Sequence, residues 1–279
     1  IVTVEAFRDV PIARLVERVR HYPMLGSLPS ELPFAGGWIG YISYEAGVPR
    51  HLVGIRECAL DVPLLRFVLY DHALVFDHLA ERWWEAAIEW KDCQPSRPPA
   101  AVRLKILQER VERACRLDIS EPVNRQSRVA CEAMTRAQYD SRVKRIKQYI
   151  EAGDIYQANL AQRFRAEAGG TPFELYRRVR SENPSSYAAF ISWDDRAILS
   201  ASPELFLDLR GNRVVTRPIK GTRPRCGVEA VDSLSRNDLQ ISEKVRSELN
   251  MIIDLLRNDL GRVCDYGTVS VKDAGTIEA

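Results

Sequence analysis

Between residues 187 and 219, four strand-like stretches (187–193, 197–201, 205–209 and 214–219) follow one another with at most four residues between them. Links that short join antiparallel neighbours, because a parallel pair needs a crossover of about a dozen residues or more. The crowding argues against an alternating βαβ plan and predicts a mainly antiparallel α+β protein. A further strand is expected over 155–164 and a last one over 268–272. Only a few helices are marked. Thr135-x-x-Gln138 has the capping-box pattern, and Tyr139, Val143, Ile146 and Ile150 recur at helical spacing. Gly153 fits the C-terminal stop of that helix. A charged amphipathic helix is expected over about 102–115 and a long helix over about 241–257.

The chain divides into an N-terminal region (1–116), a polar, aperiodic linker (117–134) and a C-terminal region (135–279). In the first region, Leu32 to Tyr41 is aromatic and glycine-rich, as in a buried strand that another backbone approaches closely. Residues 63–76 form a second β-branched and aromatic stretch. Net charge is +2, from 40 basic and 38 acidic residues, so no gross bias points to nucleic acid or an anionic membrane. The uncharged run from Leu32 to Tyr44 is 13 residues, too short to span a bilayer. No charged-then-apolar leader opens the given sequence, and a cytoplasmic location is expected. The six cysteines form no C-x-x-C pair and read as reduced structural thiols.

Three residues could carry chemistry. Lys220 ends the strand at 214–219 and precedes Gly221-Thr222. On that strand it shares a face with Val214, Thr216 and Pro218, where partial desolvation would free its amine as nucleophile or base. The alternative is an exposed lysine at a strand end. Glu248 falls inside the apolar arc of the long helix, defined by Ile241, Val245, Leu249, Ile252 and Leu256. A carboxylate there is paired, protonated or bound to a cation: either an ion pair with Lys244 or an oxygen ligand for Mg²⁺. Gln157 and Asn159 share one face of the expected strand over 155–164, as satisfied structural amides or as substrate contacts.

Four blocks, in order, resemble the chorismate-utilising enzymes. They are Asp154-Ile155-Tyr156-Gln157-Ala158-Asn159-Leu160-Ala161-Gln162-Arg163-Phe164, Ser202-Pro203-Glu204-Leu205-Phe206, Arg217-Pro218-Ile219-Lys220-Gly221-Thr222-Arg223-Pro224-Arg225 and Ile253-Asp254-Leu255-Leu256-Arg257-Asn258-Asp259-Leu260-Gly261-Arg262-Val263. The Leu32–Tyr41 block resembles the matching N-terminal region, so the resemblance covers nearly the whole chain. It implies an α/β sandwich of two mainly antiparallel sheets flanked by helices. Within the family, Lys220 resembles the branch that makes 4-amino-4-deoxychorismate from chorismate and ammonia, for para-aminobenzoate and folate synthesis. Anthranilate-forming members typically have alanine there. In the lysine-bearing branch, that side chain adds to the chorismate ring as the C4 hydroxyl leaves, and ammonia then displaces it. Gln157 stands where isochorismate- and salicylate-forming members have a water-activating lysine, which argues against water as the nucleophile. Alanine at Ala188 stands where tryptophan-regulated members tend to have methionine, so tryptophan feedback is not implied.

The same resemblance implies that Glu248 binds Mg²⁺ and, through it, the chorismate carboxylate. Gly221 and Thr222 match the substrate loop, and a glutamine amidotransferase subunit is the implied source of ammonia. Many relatives have a further acidic residue where this chain has Val245. The family continues beyond Thr276-Ile277-Glu278-Ala279 with more substrate- and metal-binding groups. The expectation is therefore that the C-terminal part of the fold is absent from residues 1–279, which alone should not turn over chorismate. Two other readings stay open: an anthranilate-forming enzyme, or a non-catalytic fragment that retains a partner-binding surface.

Overall fold

In the computed structural model, the described residues are 2–6, 12–22, 32, 34–47, 62–89, 98–117, 128–132 and 134–278. They belong to two units, Ile1–Glu121 and Pro122–Ala279. The fold is mixed α+β, and every strand pairing among the described residues is antiparallel.

The first unit contains β1 (Val2–Ala6), α1 (Ile12–His21), β2 (Gly37–Ile42), a 3₁₀ turn at Tyr44–Gly47, β3 (Leu65–Tyr70), β4 (His72–Asp77), β5 (Arg82–Ala87) and α2 (Ala100–Cys115). The strand expected in the glycine-rich block is β2, and it lies beside β3 in the order β1-β3-β2. The predicted close approach occurs at Gly40, opposite Phe67, where a side-chain carbon would stand 1.9 Å from the Arg66 carbonyl oxygen. Any residue with a Cβ would force the two strands apart there. Leu65 and Leu69 on the central strand β3, and Pro63 just before it, are buried.

The second apolar stretch, 63–76, is two strands rather than one, because the chain turns at Asp71 between β3 and β4. β4 and β5 form a separate hairpin, its turn held by Asp77 Oδ1, which accepts from the amides of Leu79 (2.9 Å) and Ala80 (3.0 Å). Those two bonds hold the Asp77 carboxyl below its ordinary range. α2 packs on this hairpin through Ala100, Arg103, Leu104, Leu107 and Val111, a stripe at helical spacing. Arg103 is 6% exposed. It donates to the carbonyls of Pro98 (3.0 Å), Asp71 (2.8 Å) and Ile88 (2.5 Å) and pairs with the Asp71 carboxylate at 3.0 Å. Burial works against ionisation of Asp71. A hydrogen bond from His72 Nδ1 (2.8 Å) and the adjacent guanidinium outweigh it and hold the carboxyl below its ordinary value.

The second unit contains β6 (Arg128–Glu132), α3 (Arg136–Ala152), β7 (Phe164–Glu167), α4 (Pro172–Glu182), β8 (Tyr187–Trp193), β9 (Arg196–Ser202), β10 (Leu205–Arg210), β11 (Arg213–Arg217), α5 (Glu229–Ile241) and α6 (Glu243–Gly261). The capping box of α3 is formed as read: Gln138 N donates to Thr135 Oγ1 and Thr135 N to Gln138 Oε1. Gly153 caps the other end at φ 81°. α4 carries a second box, Thr171 with Glu174, and Pro172 in its first turn. It lies against β8 and β9, with Phe173 and Tyr176 each 5.3 Å from the Phe190 ring.

Several expectations are corrected. The stretch 155–163 is a loop, and only Phe164 begins a strand. Its amide-bearing side chains, Gln157 and Asn159, are exposed, so no strand face has to bury them. Residues 268–272 are not a strand. The linker 117–134 contains β6, which pairs with β7; its residues 118–127 and 133 lie outside those described. The long helix expected over about 241–257 is α6, which starts later and runs further; Ile241 ends α5 instead, and Ser242 caps α6 by accepting from Val245 N at 3.4 Å. Among the described residues, the strands form one three-stranded and four two-stranded sheets.

Candidate active site

Lys220 stands three residues past β11. The strand stops at Arg217 because Pro218 has no N–H to continue the ladder. The next amide, Ile219 N–H, leaves the sheet and donates to Glu204 Oε1 at 2.9 Å. Glu204 is itself placed by the turn before β10, where its amide donates to Ser202 Oγ at 3.3 Å. The chain then reverses at Gly221, whose φ of +74° is a left-handed conformation that suits glycine. A Cβ at Gly221 would come within 2.6 Å of Val245 Cγ1 and 3.2 Å of Leu239 Cδ2, so the turn rests directly on the start of α6 and the end of α5. Beyond it, Arg223 donates to the Asp238 carboxylate at 2.5 Å and to the Thr222 carbonyl at 3.0 Å.

Lys220 itself is half-buried, with no hydrogen bond or ion pair recorded to it among the described residues. Thr222 is exposed, and its hydroxyl stands free of any recorded partner among the described residues. Further along, Asp232 is buried near the start of α5 and accepts from the amides of Cys226 (2.9 Å) and Gly227 (3.1 Å). The Cys226 amide bond is the main cause that holds the Asp232 carboxyl below its ordinary range, against the opposing effect of burial.

Glu248 lies one turn along α6 from Val245, on the same side of the helix. Its side chain is 41% exposed, and Lys244 Nζ lies 4.0 Å from its Oε1. That contact is long and solvent-exposed on the lysine side, so it contributes little. Asp254 is exposed, as the helical arc requires, but Ile241 belongs to α5 and is no part of that arc. The structure therefore links the Lys220 turn to the Glu248 face through the Gly221–Val245 contact. Among the described residues no hydrogen bond joins Gln157 to Lys220 or Glu248.

No group of three or more His, Cys, Asp or Glu side chains converges among the described residues. Glu248, with its side chain 41% exposed, is a single carboxylate that could hold a metal such as Mg²⁺, an ion that keeps several waters and takes one or two carboxylates beside a substrate anion. Sequence reasoning missed Glu204, Asp238 and Asp232 as organisers of this segment. Asp232 had a readable signal, a carboxylate in a helical first turn beside the glycine-containing stretch 226–227; Asp238 had none, since its partner is fifteen residues away.

The chorismate binding enzyme family matches residues 3–279. The chain belongs to the chorismate binding enzymes. Among relatives, the aminodeoxychorismate synthase component 1 of Klebsiella aerogenes is 32% identical, over 99% of this chain and 58% of its own length. The anthranilate synthase component 1 of Thermus thermophilus is 36% identical, over 96% and 56%. Among solved structures, the crystal structure of anthranilate synthase component I from Streptococcus pneumoniae superposes with a TM-score of 0.68 at 26% identity, covering 93% of this chain and 59% of that one. This chorismate binding enzyme thus spans somewhat more than half the length of the relatives it matches. Among the described residues, no helix is long and apolar enough to cross a membrane.

Proposed function

We propose that this chain provides the lysine-bearing part of an aminodeoxychorismate synthase component 1, which converts chorismate and ammonia to 4-amino-4-deoxychorismate. The observation that carries the reading is Lys220: half-buried, without a carboxylate partner among the described residues, and on a turn held upstream through the Ile219 amide and downstream through the Arg223 side chain. Its amine attacks the chorismate ring, forming a C–N bond as the C4–O bond breaks and the hydroxyl leaves as water. Ammonia then forms the C4–N bond, and the bond to Lys220 breaks, returning the free amine. The turn at Gly221 and the hydroxyl of Thr222 lie where the ring and its substituents would be bound, and Gln157 is a candidate contact from a separate loop. Glu248 would hold Mg²⁺, which when bound neutralises an anionic substrate and assists departure of a hydroxyl. Ammonia would come from a glutamine amidotransferase partner, as the family resemblance implies; the name component 1 of both relatives is in keeping with an enzyme of more than one component.

The Thermus relative favours a second reading, in which the product is anthranilate. Product analysis separates them. Protein expressed from its intact reading frame is given chorismate, ammonium and Mg²⁺, and products are identified by mass. Wild type should give 4-amino-4-deoxychorismate, and Lys220→Ala should lower its formation by about a thousandfold or more while leaving the melting curve unchanged. Anthranilate as the product, or most of the rate kept by Lys220→Ala, would refute the reading.

A further inference from the structure

The segment 219–223 is held at three points, one in the turn before β10, one on α5 and one on α6. Upstream, the Ile219 amide is fixed by Glu204. Downstream, Arg223 is fixed by Asp238 of α5 at 2.5 Å. Between them, Gly221 sits against Val245 of α6, with so little room that an added methyl would overlap Val245 Cγ1 at 2.6 Å and Cγ2 at 3.0 Å. Lys220 is the one residue in this stretch whose side chain has reactive nitrogen and no recorded partner among the described residues. On so flexible a stem, the backbone sets the point and direction from which the amine departs, and hence the region it can reach.

We infer that Val245 and Asp238 are positioning residues for Lys220, setting where its amine projects by seating Gly221 and anchoring Arg223. The inference rests on the catalytic reading of Lys220 for its purpose, but not for its geometry. Val245 acts as a wedge. Its two methyl groups fill the space that glycine leaves, and its own amide is fixed by Ser242 at the cap of α6, so the wedge does not slide. Asp238 acts as a tether. It lies on α5 one turn before Ser242, so both supports belong to the junction between the two helices. If the wedge is lost, the turn gains room to settle toward the helix. If the tether is lost, Arg223 swings free and carries the backbone after Gly221 with it.

The test separates position from chemistry. Lysine reactivity is measured by trace acetylation with acetic anhydride across a pH series and quantified by peptide mass spectrometry, with Lys105, Lys147 and Lys272 as internal references. Val245→Ala and Asp238→Asn should each change Lys220 labelling at least threefold relative to the reference lysines. Val245→Thr, which keeps the branched shape, should restore the wild-type ratio. In turnover assays of the protein from its intact reading frame, the first two variants should lower kcat about tenfold or more, with KM for chorismate changed less than twofold, since misplacement of a reacting group by about 1 Å costs up to a hundredfold. Unchanged Lys220 labelling in both variants overturns the inference. So does labelling that rises at all lysines together, because that reports loss of fold. A selective labelling change in a protein whose Lys220→Ala variant remains active leaves the clamp standing and removes the catalytic reading instead.

Discussion

Replacing Arg103 with leucine should destabilise the first unit by about 3–5 kcal/mol, the range seen when one partner of a buried ion pair is removed. The magnitude follows from what Arg103 leaves behind. Its guanidinium is 6% exposed and serves three backbone carbonyls, those of Pro98, Asp71 and Ile88, as well as the Asp71 carboxylate. Each buried acceptor left without a donor costs roughly 1–3 kcal/mol, partly relieved where water can enter. Leucine recovers some of the buried stem area. Asp71 keeps His72 at 2.8 Å, which sets the figure at the lower part of the summed range rather than the top. Urea unfolding followed by tryptophan fluorescence suits the measurement, because four of the five tryptophans (38, 83, 84 and 90) lie in the first unit. Asp71→Asn and the double variant complete a cycle whose coupling should exceed about 1 kcal/mol. A destabilisation below about 1 kcal/mol for Arg103→Leu, or additive single effects, would show that the network does not secure α2 to the β4–β5 hairpin.

Two further outcomes can be measured directly. Calorimetric titration with Mg²⁺ alone should show Glu248→Gln binding at least about tenfold more weakly than wild type, the low end of what even outer-shell changes cost at metal sites, while Lys244→Ala binds as wild type. Equal affinity for Glu248→Gln and wild type would remove the ligand role. Asp232 has a folded-state pKa below its unfolded value of about 3.9, so its contribution to stability is full above that value and is lost as pH falls through the folded one. The stability difference between wild type and Asp232→Asn should therefore be present at neutral pH and shrink in acid. A difference that persists undiminished to pH 3 would show that ionisation of Asp232 is not its source.

What could be read in advance was local. The α3 boundaries followed from Thr135, Gln138 and Gly153, because caps are made by residues within a turn of the helix end. The antiparallel pairs β8–β9 and β10–β11 followed from strand-like stretches only three and four residues apart, and the turns proper have two residues each. The strand expected over 155–164 failed because alternation of Gln157, Asn159 and Ala161 resembles a pleat equally well when the chain is a solvated loop. The break at Ser242 was hidden, since the apolar spacing continues across it from Ile241 to Val245 while the capping serine is easily read as a helix interior residue. At the site, Lys220 and Gly221 were legible as strand end and turn. Their supports were not, because Glu204, Asp238 and Val245 meet the turn only after distant segments fold together.

The β6–β7 pair closes around α3, with 31 residues, 133–163, between its strands, whereas two residues separate β8 from β9. On loop length alone, closing the longer connection costs roughly 2.4 kcal/mol more entropy. α3 changes that comparison: once its 17 residues are helical, the connection is a rod with two short flexible ends, and far fewer conformations are left to lose. An order of events is expected in the second unit. The β8–β9 hairpin closes two residues and forms in about 1–10 μs, while β6 meets β7 only across the longer connection, whose remaining closure cost falls once α3 is helical. Pulse-labelling hydrogen exchange during refolding should find the amides of β8 and β9 protected before those of β6. Thr135→Ala, by removing the cap that starts α3, should delay β6 protection and leave the hairpin's timing as it was.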